Sequence, residues 1–424
     1  MPRNLSVILL PTSDCNVACD YCFEDKTSDV LSHERLSEIV DKVFDHMDRR
    51  GVDSLMIHWQ GGEIMTIPPA WFDRAHGLIG EAAAKRGKSV EHGLQSNMIG
   101  YTKRWNGVIE RMFGNSVGTS MDYPNLHRKL FNAGPDEYTR IWRRNLLKAR
   151  EAGIDLQAIA VLNQETLDRG AESFYEYFVD ELGFTDFQAN TPFPGGEQND
   201  AKRDLGLDLD DLIRFHVDLL EVWVERGFER GVRVGPFDAL LDTFLGRPAS
   251  LPCIWQSNCT DEFLSIDARG SVAQCDCWVT SYPEYFFGNI FEASSLTEML
   301  DNSRAREKFN DRPAVVLESG CIECEYLALC HGGCPVRTFT VRGTLFEKDP
   351  YCGLYKALFG GTEKVARRIA SERAGITGVN TFVAAAESRG GCCSTRETAN
   401  DSALVQLTRR SGSETGVTWP LLAD

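Results

Sequence analysis

The chain has 424 residues, of which 42% are hydrophobic and 25% are charged, and its formal net charge is −17. These proportions are ordinary for a globular protein and exclude the collagenous and disordered classes. The negative charge repels phosphate backbones, which argues against a nucleic acid partner and favours a peptide or small-molecule substrate. No stretch approaches the roughly 20 apolar residues of a membrane span, and the apolar run 7–11 lacks the features of a secretory signal. We therefore expect no membrane partner and a cytoplasmic location.

Up to about residue 240, short apolar runs alternate with longer segments of helical periodicity, which is typical of repeated βα units around a parallel sheet. The predicted strands are Ser6–Leu10, Ser54–Trp59, Val90–Gln95, Ser116–Met121, Asp155–Leu162 and Asp186–Gln188. The outer helices are predicted at Ser32–Asp48, Pro69–Lys85, Glu137–Ala152 and Leu209–Arg226. The predicted fold class is α/β, with a partial (βα)6 TIM-like barrel whose reactive groups gather at the C-terminal ends of the strands.

Fourteen cysteines in a chain without an export signal indicate metal ligands or redox groups, because the cytosol is reducing. From about residue 253 to 352, clustered cysteines alternate with short strands and turns, and we expect metal to replace hydrophobic core there. The predicted domains are a barrel over 1–240, a cysteine-rich domain over 241–370 and a flexible tail over 371–424. The tail is rich in Gly, Ser and Thr and contains the pair Cys392 and Cys393, which is either solvated or a redox element.

Three cysteines with CxxxCxxC spacing follow the first predicted strand: Cys15, Cys19 and Cys22. Four thiolates close a [4Fe–4S] cluster, so three leave one iron open to a further ligand. The alternative is a zinc knuckle or a set of unrelated thiols, and the lack of a fourth local Cys or His disfavours zinc. With Tyr21 at its aromatic position, the motif resembles the signature of radical S-adenosylmethionine (SAM) enzymes. The resemblance implies that the open iron binds SAM, whose cleavage yields a 5′-deoxyadenosyl radical that abstracts hydrogen, and that Tyr21 belongs to the cofactor-binding residues.

Polar or glycine-rich segments follow the next three strands. Residues 58–63 resemble the GGE motif of the family, which implies that SAM is bound by Gln60, Gly61, Gly62 and Glu63. In that motif the backbone and the glutamate receive the SAM amino group, and glycines permit a close approach. Asn97 and Ser120, at the ends of the third and fourth strands, are further SAM-binding candidates, with ordinary strand-end capping as the alternative. Arg128 and Arg140 are both candidates for the SAM carboxylate.

Eight further cysteines suffice for two four-thiolate clusters. Their array resembles the SPASM extension of peptide-modifying radical SAM enzymes. By that resemblance, one auxiliary cluster is held by Cys253, Cys259, Cys275 and Cys334, and the other by Cys321, Cys324, Cys330 and Cys352, which gives three [4Fe–4S] clusters in all. The alternative is a pair of structural zinc sites, which the Cys321/Cys324 and Cys330/Cys334 spacings alone would permit.

Segments 59–63, 120–122 and 351–356 are similar to the anaerobic sulfatase-maturating enzymes. The resemblance implies an oxidoreductase that converts a Cys or Ser of a peptide or protein to formylglycine and draws on a low-potential electron donor of the flavodoxin or ferredoxin type. It also implies that Asp276, directly after the third auxiliary cysteine, is the general base. The alternative for Asp276 is a turn residue or a partner that tunes the cluster. Tyr123 and Arg128 depart from the family's pattern, and Cys277 is an extra thiol that is either a ligand or inert.

Three other functions use or imitate the same machinery. A maturase of ribosomally synthesised peptides would install thioether or carbon–carbon (cyclophane-type) crosslinks, and another SPASM enzyme would act on a small molecule. A non-enzymatic, zinc-stabilised binding scaffold would bind zinc tightly and would not cleave SAM.

Overall fold

The computed structural model describes residues 3–193, 205–261, 263–372 and 379, and a sheet of ten strands runs through these residues. The strands are Arg3–Leu10 (β1), Val52–Trp59 (β2), Ser89–Ser96 (β3), Ser116–Ser120 (β4), Asp155–Val161 (β5), Asp186–Asn190 (β6), Arg233–Gly235 (β7), Phe263–Asp267 (β8), Ser271–Ala273 (β9) and Gly288–Asn289 (β10). Their spatial order is β10-β9-β8-β1-β2-β3-β4-β5-β6-β7. All neighbouring pairs from β8 to β7 are parallel, and β9 and β10 add antiparallel pairs at one edge.

The α-helices of the described residues follow the chain in order. They are His33–Arg50 (α1), Pro69–Arg86 (α2), Asn106–Phe113 (α3), Pro135–Glu151 (α4), Gln164–Tyr175 (α5), Leu209–Arg226 (α6), Phe237–Phe244 (α7), Asp276–Ser281 (α8), Leu296–Asp301 (α9), Arg304–Val315 (α10), Leu327–Cys330 (α11), Pro335–Arg342 (α12) and Cys352–Glu372 (α13). The α/β prediction is confirmed, and the six predicted strands and four predicted helices all form within a few residues of their expected bounds.

Helix α1 shows how local sequence fixes these elements. The Ser32 side chain accepts a hydrogen bond from the backbone N–H of Arg35 and so caps the first turn. Leu36, Ile39 and Val43 recur at helical spacing and are buried against the sheet. Gly51 ends the helix at φ 64°, a left-handed conformation that costs glycine little.

The cysteine-rich region extends the barrel sheet. Strand β8 pairs in parallel with β1, from Ser6 opposite Phe263 to Leu10 opposite Asp267. Helix α13 returns to pack on α6 and α7. The domain boundaries near residues 240 and 370 stay predictions.

An aromatic core fills part of the cysteine-rich region. Trp278 is fully buried, and its ring centroid lies 4.5 Å from that of Tyr285, 5.2 Å from that of Phe309 and 5.4 Å from that of Phe339. The expectation that metal replaces hydrophobic core here is therefore wrong. The aromatic residues are too far apart in sequence to reveal a shared core by their periodicity.

Among the described residues, no helix has the length and apolar character that crossing a membrane requires. The predicted flexible tail, with Cys392 and Cys393, falls outside the described residues except for the end of α13 and residue 379.

Candidate SAM and cluster sites

The first cysteine loop leaves the C-terminal end of β1 and lies between two other segments. On one side, the backbone N–H groups of Ala18 and Asp20 donate to the carbonyls of Lys129 and His127 at 2.8 and 3.1 Å. On the other side, the N–H of Glu63 donates to the carbonyl of Asp14 at 2.8 Å. The structure therefore places the three predicted cluster ligands at the end of the sheet where β1 and β2 finish.

Burial makes the free thiolate form of these cysteines costly. Burial, followed by the negative charge of Glu63, raises the pKa of Cys15 to about 12. Burial also raises the pKa of Cys19 to about 11, although the Arg128 cation opposes this rise. Since metal ligation requires thiolates, a bound iron cluster would supply the positive charge that this site needs.

Two glycines bring the end of β2 against the cysteine loop. A Cβ atom on Gly61 would lie 2.3 Å from the carbonyl oxygen of Thr12, and one on Gly62 would lie 2.2 Å from that of Asp14. The N–H of Gly62 donates to the Thr12 carbonyl at 3.1 Å. The close approach that these glycines permit is therefore to the loop that carries the cysteines.

Glu63 ties the end of β2 to the end of β3. Its carboxylate is 2% exposed and accepts hydrogen bonds from the N–H of Met65 at 2.8 Å, the hydroxyl of Ser96 at 2.7 Å and the N–H of Asn97 at 2.7 Å. The Asn97 amide in turn donates to the side-chain oxygen of Asn16 in the cysteine loop at 2.8 Å. Asn97 thus lies beside the loop.

Ser120 lies at the end of β4, next to β3. Its hydroxyl accepts a hydrogen bond from Gln95 Nε2 at 3.0 Å, and its backbone carbonyl accepts one from the Tyr138 hydroxyl at 3.0 Å. The ends of β2, β3 and β4 therefore carry the predicted SAM-contacting residues along the same edge of the sheet.

A buried ion pair holds Tyr21 in the cysteine loop. The Tyr21 hydroxyl donates to Asp122 Oδ2 at 2.7 Å, and Arg128 Nε donates to Asp122 Oδ1 at 2.9 Å. The Arg128 guanidinium also lies over the Tyr21 ring, 5.3 Å from its centroid. The sequence analysis did not predict this network. The one feature of the sequence that pointed to it was the position of Asp122 just after β4.

The two candidates for binding the SAM carboxylate, Arg128 and Arg140, differ in burial and position. Arg128 is 7% exposed and lies at the cysteine loop. Arg140 has a side chain that is 63% exposed and is ion-paired with Glu137 on the surface of α4. The structure therefore brings Arg128, and not Arg140, to the predicted SAM site.

Asp276 and Gln60 join the barrel to the cysteine-rich region. Asp276 is the first residue of α8 and is 3% exposed. Gln60 Nε2 donates to Asp276 Oδ2 at 2.7 Å. This contact spans 216 positions in sequence, and it places the predicted base next to the residues at the end of β2. Cys277 is buried, and its sulfur lies within 4.8 Å of the ligand atoms of Cys275 and Asp276.

The eight auxiliary cysteines form the two groups that the family resemblance implies. Burial raises the pKa of Cys253 well above its usual value, and nearby Cys334, Cys259 and Cys275 raise it further. In the second group, burial raises the pKa of Cys330 to about 12, and Cys352 and Cys321 add to this effect. The second group, Cys321, Cys324, Cys330 and Cys352, also lines one pocket.

Within the described residues, neither group has three thiol sulfurs that all lie within 4.8 Å of one another. Tetrahedral Zn–S bonds of about 2.3 Å place sulfurs roughly 3.8 Å apart. Across the described residues, Cys275, Asp276 and Cys277 are the one set of three metal-binding side chains whose ligand atoms all lie within 4.8 Å of one another. A cubane does not require sulfurs this close together, because each thiolate binds a separate iron.

Comparison with known proteins identifies relatives along most of the chain, although no family model matches it. The chain is 28% identical over 369 residues to the cysteine-type anaerobic sulfatase-maturating enzyme of Clostridium perfringens (strain 13), which covers 84% of this chain and 95% of that protein. It is 23% identical over 351 residues to the serine-type anaerobic sulfatase-maturating enzyme of Bacteroides thetaiotaomicron, with 77% and 81% covered.

Solved structures share the fold. Native anSMEcpe with bound AdoMet and Cp18Cys peptide matches with a TM-score of 0.72 at 23% identity, over 87% of this chain and 99% of that one. Streptococcus suis SuiB bound to the precursor peptide SuiA matches with a TM-score of 0.54 at 16% identity, over 83% and 76%. With its cysteine loop at the end of β1, the chain is similar in sequence and fold to the anaerobic sulfatase-maturating enzymes.

Proposed function

We propose that this protein oxidises a Cys or Ser side chain of a peptide or protein substrate to formylglycine. The observation that carries the proposal is the buried Asp276 carboxylate, which the Gln60 amide holds at 2.7 Å where the barrel meets the auxiliary cysteines. The sulfatase-maturating relatives, together with the AdoMet and the peptide bound to anSMEcpe, support the same assignment.

The chemistry requires three acceptors. Oxidation of Cys or Ser to the aldehyde level removes one Cβ hydrogen atom, one heteroatom proton and one further electron. Ser gives the aldehyde directly, whereas Cys gives a thioaldehyde, which water converts to the aldehyde with release of hydrogen sulfide. Bound SAM would supply the acceptor of the hydrogen atom, and the auxiliary clusters would supply the acceptor of the electron. Asp276 takes the proton, provided that the substrate hydroxyl or thiol comes within hydrogen-bond reach of its carboxylate.

Other residues of the chain bind the first cluster and position the groups around it. Cys15, Cys19 and Cys22 hold the first cluster and leave one iron open. Gln60 fixes the orientation of Asp276, while Gly61, Gly62 and Glu63 hold the end of β2 against the cysteine loop.

Three of these proposed roles concern SAM directly. Asn97 and Ser120 offer polar groups to SAM from the ends of β3 and β4, and Arg128 offers the cation for its carboxylate. Tyr21 positions Arg128 through Asp122.

The auxiliary ligands are two sets of four cysteines, and both clusters are fully ligated. One set is Cys253, Cys259, Cys275 and Cys334, and the other is Cys321, Cys324, Cys330 and Cys352. We include in this proposal a low-potential electron donor of the flavodoxin or ferredoxin type. We also include a cytoplasmic location, because reducing conditions prevail there.

The test uses anaerobically reconstituted full-length protein with SAM, a strong reductant and a sulfatase-type peptide that contains Cys or Ser. We expect a peptide product that a hydrazine reagent traps as an aldehyde. Asp276→Asn should lower product formation by about 10²–10⁴-fold, and it should still cleave SAM. Glu284→Gln, at an exposed carboxylate near α8, is the matched control and should behave like the wild type.

Other products would lead to other conclusions. A peptide that loses hydrogen without forming an aldehyde would indicate crosslinking and contradict the formylglycine proposal. Cleavage of SAM with an unchanged peptide would exclude this substrate. Absence of SAM cleavage, with zinc in place of iron, would contradict the enzyme assignment itself.

A further inference from the structure

Two buried arginines lie in the cysteine-rich region. Arg312 in α10 is 6% exposed, and Arg337 in α12 is 3% exposed. Within the described ranges, neither side chain has a carboxylate oxygen within 4.0 Å. A buried cation without an ionic partner costs several kcal/mol, so these two charges need an explanation.

Arg312 is held by backbone carbonyls. Its Nε donates to the carbonyl of Leu345 at 2.8 Å, and its Nη2 donates to those of Gly332 and Glu347 at 3.0 and 3.4 Å. These contacts satisfy its hydrogen-bonding groups but leave its charge uncompensated.

Arg337 has fewer of its hydrogen-bond donors satisfied than Arg312. Its Nη1 donates to the Tyr355 hydroxyl at 2.8 Å, and its guanidinium lies over the Tyr351 ring, 5.4 Å from the centroid. Its Nε is buried and has no hydrogen-bond partner in the described structure. A buried N–H without a partner needs a physical explanation, such as a redox role or a bound ion.

Among the described residues, one buried carboxylate, that of Asp349, acts on both arginines, and its single negative charge does not balance their two positive charges. Asp349 accepts hydrogen bonds from the N–H of Cys334 at 2.7 Å, the N–H of Tyr351 at 2.8 Å and the hydroxyl of Tyr355 at 2.9 Å. Its negative charge acts on both arginines at longer range. Two cations against one carboxylate leave this buried region with a net positive charge.

The excess charge lies beside the thiols of the first auxiliary group. Burial raises the pKa of Cys334 to about 11, and Arg337 is the strongest opposing influence. Arg337 likewise opposes the rise that burial causes in the pKa of Cys253. Arg312 opposes the corresponding rise for Cys259. The geometry agrees with this placement, because Arg312 Nη2 donates to the carbonyl of Gly332, two residues before Cys334, and Arg337 lies in the first turn of α12, which Cys334 precedes.

We propose that Arg312 and Arg337 are built-in counter-ions of the auxiliary cluster bound by Cys253, Cys259, Cys275 and Cys334, and that they raise its reduction potential. A cubane held by four thiolates is negatively charged and becomes more so on reduction. Fixed positive charge in a buried, low-dielectric setting stabilises the reduced state more than the oxidised one.

The consequence for the reaction follows from the electron balance. When the substrate has lost its hydrogen atom and its proton goes to Asp276, one electron remains to be transferred. The two arginines make the adjacent cluster a better acceptor for that electron, which it gains as the substrate is oxidised. The origin of this electron rests on the proposed function, but the potential is a property of the protein that needs no substrate.

The test measures the midpoint potentials of the auxiliary clusters in full-length protein without peptide. The cysteines of the first loop, Cys15, Cys19 and Cys22, are replaced by Ala so that the auxiliary clusters alone are titrated, by electron paramagnetic resonance. We expect Arg312→Gln and Arg337→Gln each to lower one of the two potentials by about 59 mV or more, which is a tenfold change in a one-electron equilibrium constant. The Lys variants retain the charge and should shift the potential by less than half as much.

Matched controls lie on the same helices. Arg304→Gln at the exposed start of α10 and Arg342→Gln on the exposed side of α12 also remove one positive charge each and should leave both potentials unchanged. Their distance from the cysteines and their exposure to solvent screen their effect.

Each possible outcome either supports or overturns the proposed role of the two arginines. Gln variants with full iron content and unchanged potentials would overturn the proposal. If a Gln variant fails to retain the iron of one cluster while its Lys counterpart retains it, the charge is required and the proposal stands. Equal failure of the Lys and Gln variants would overturn it, because packing and not charge would then be the cause. None of these results depends on formylglycine formation.

Discussion

Replacement of Gly62 by Ala tests how the end of β2 holds the cysteine loop. The new Cβ would lie 2.2 Å from the carbonyl oxygen of Asp14 and 2.4 Å from that of Ser13. Both atoms belong to the backbone, so the loop must move as a whole. Such overpacking costs about 1–3 kcal/mol.

The displacement also breaks backbone hydrogen bonds. The N–H groups of Gly62 and Glu63 donate to the carbonyls of Thr12 and Asp14, and each such bond contributes about 0.5–1.5 kcal/mol. The total cost is therefore about 2–6 kcal/mol, which shifts the loop equilibrium by about 30-fold or more, because about 1.4 kcal/mol corresponds to a factor of ten. We expect Gly62→Ala to lose the first cluster and SAM binding and to keep both auxiliary clusters.

The assay is iron and acid-labile sulfide per chain after anaerobic reconstitution, together with SAM binding by equilibrium dialysis. The control is Gly80→Ala in α2, where an added Cβ meets no atom within 4 Å and Ala favours the helix by about 1 kcal/mol. That variant should keep all three clusters. A Gly62→Ala protein with wild-type iron content and SAM affinity would refute the reasoning.

Three further changes have definite expectations. Gln60→Ala removes a hydrogen bond to a carboxylate, which is worth about 1.5–3 kcal/mol. We therefore expect kcat/KM for the peptide to fall by about 10- to 150-fold, while SAM binding is retained. An unchanged kcat/KM would show that the contact does not orient Asp276. Arg128→Gln should weaken SAM binding measured by dialysis, whereas Arg140→Gln should not, and equal effects would contradict the placement of the SAM carboxylate. Burial lowers the pKa of His92 to about 3, so the unfolded state binds its proton first and stability falls as pH drops from about 6.5 towards 3. As the pH is lowered over this range, the denaturant midpoint of His92→Gln should decrease less steeply than that of the wild type. Equal slopes for the two proteins would contradict a low pKa of His92.

Local pattern was enough to predict much of the architecture. Helix α6 begins and ends at the predicted residues, Leu209 and Arg226, because its apolar spacing and its Asp208 cap are properties of neighbouring residues. The cysteine loop was found for the same reason, since three thiols that bind one cluster from a single loop must be close in sequence.

Contacts between distant segments could not be predicted in this way. Gln60 and Asp276 meet only because β8 pairs with β1 and sets α8 beside the end of β2. Arg128 and Arg140 are equivalent as sequence, and only the orientation of α4 exposes Arg140.

Ligand type and spacing are local properties, so the amino-acid sequence alone was enough to predict iron–sulfur and SAM chemistry. Which groups face one another depends on how distant segments pack in the folded chain. The arginines 312 and 337 are polar residues with no motif of their own, and they acquire a role because folding buries them beside thiols from other segments. Burial and long-range charge depend on the packing of the whole chain, and so they appear only once the chain has folded.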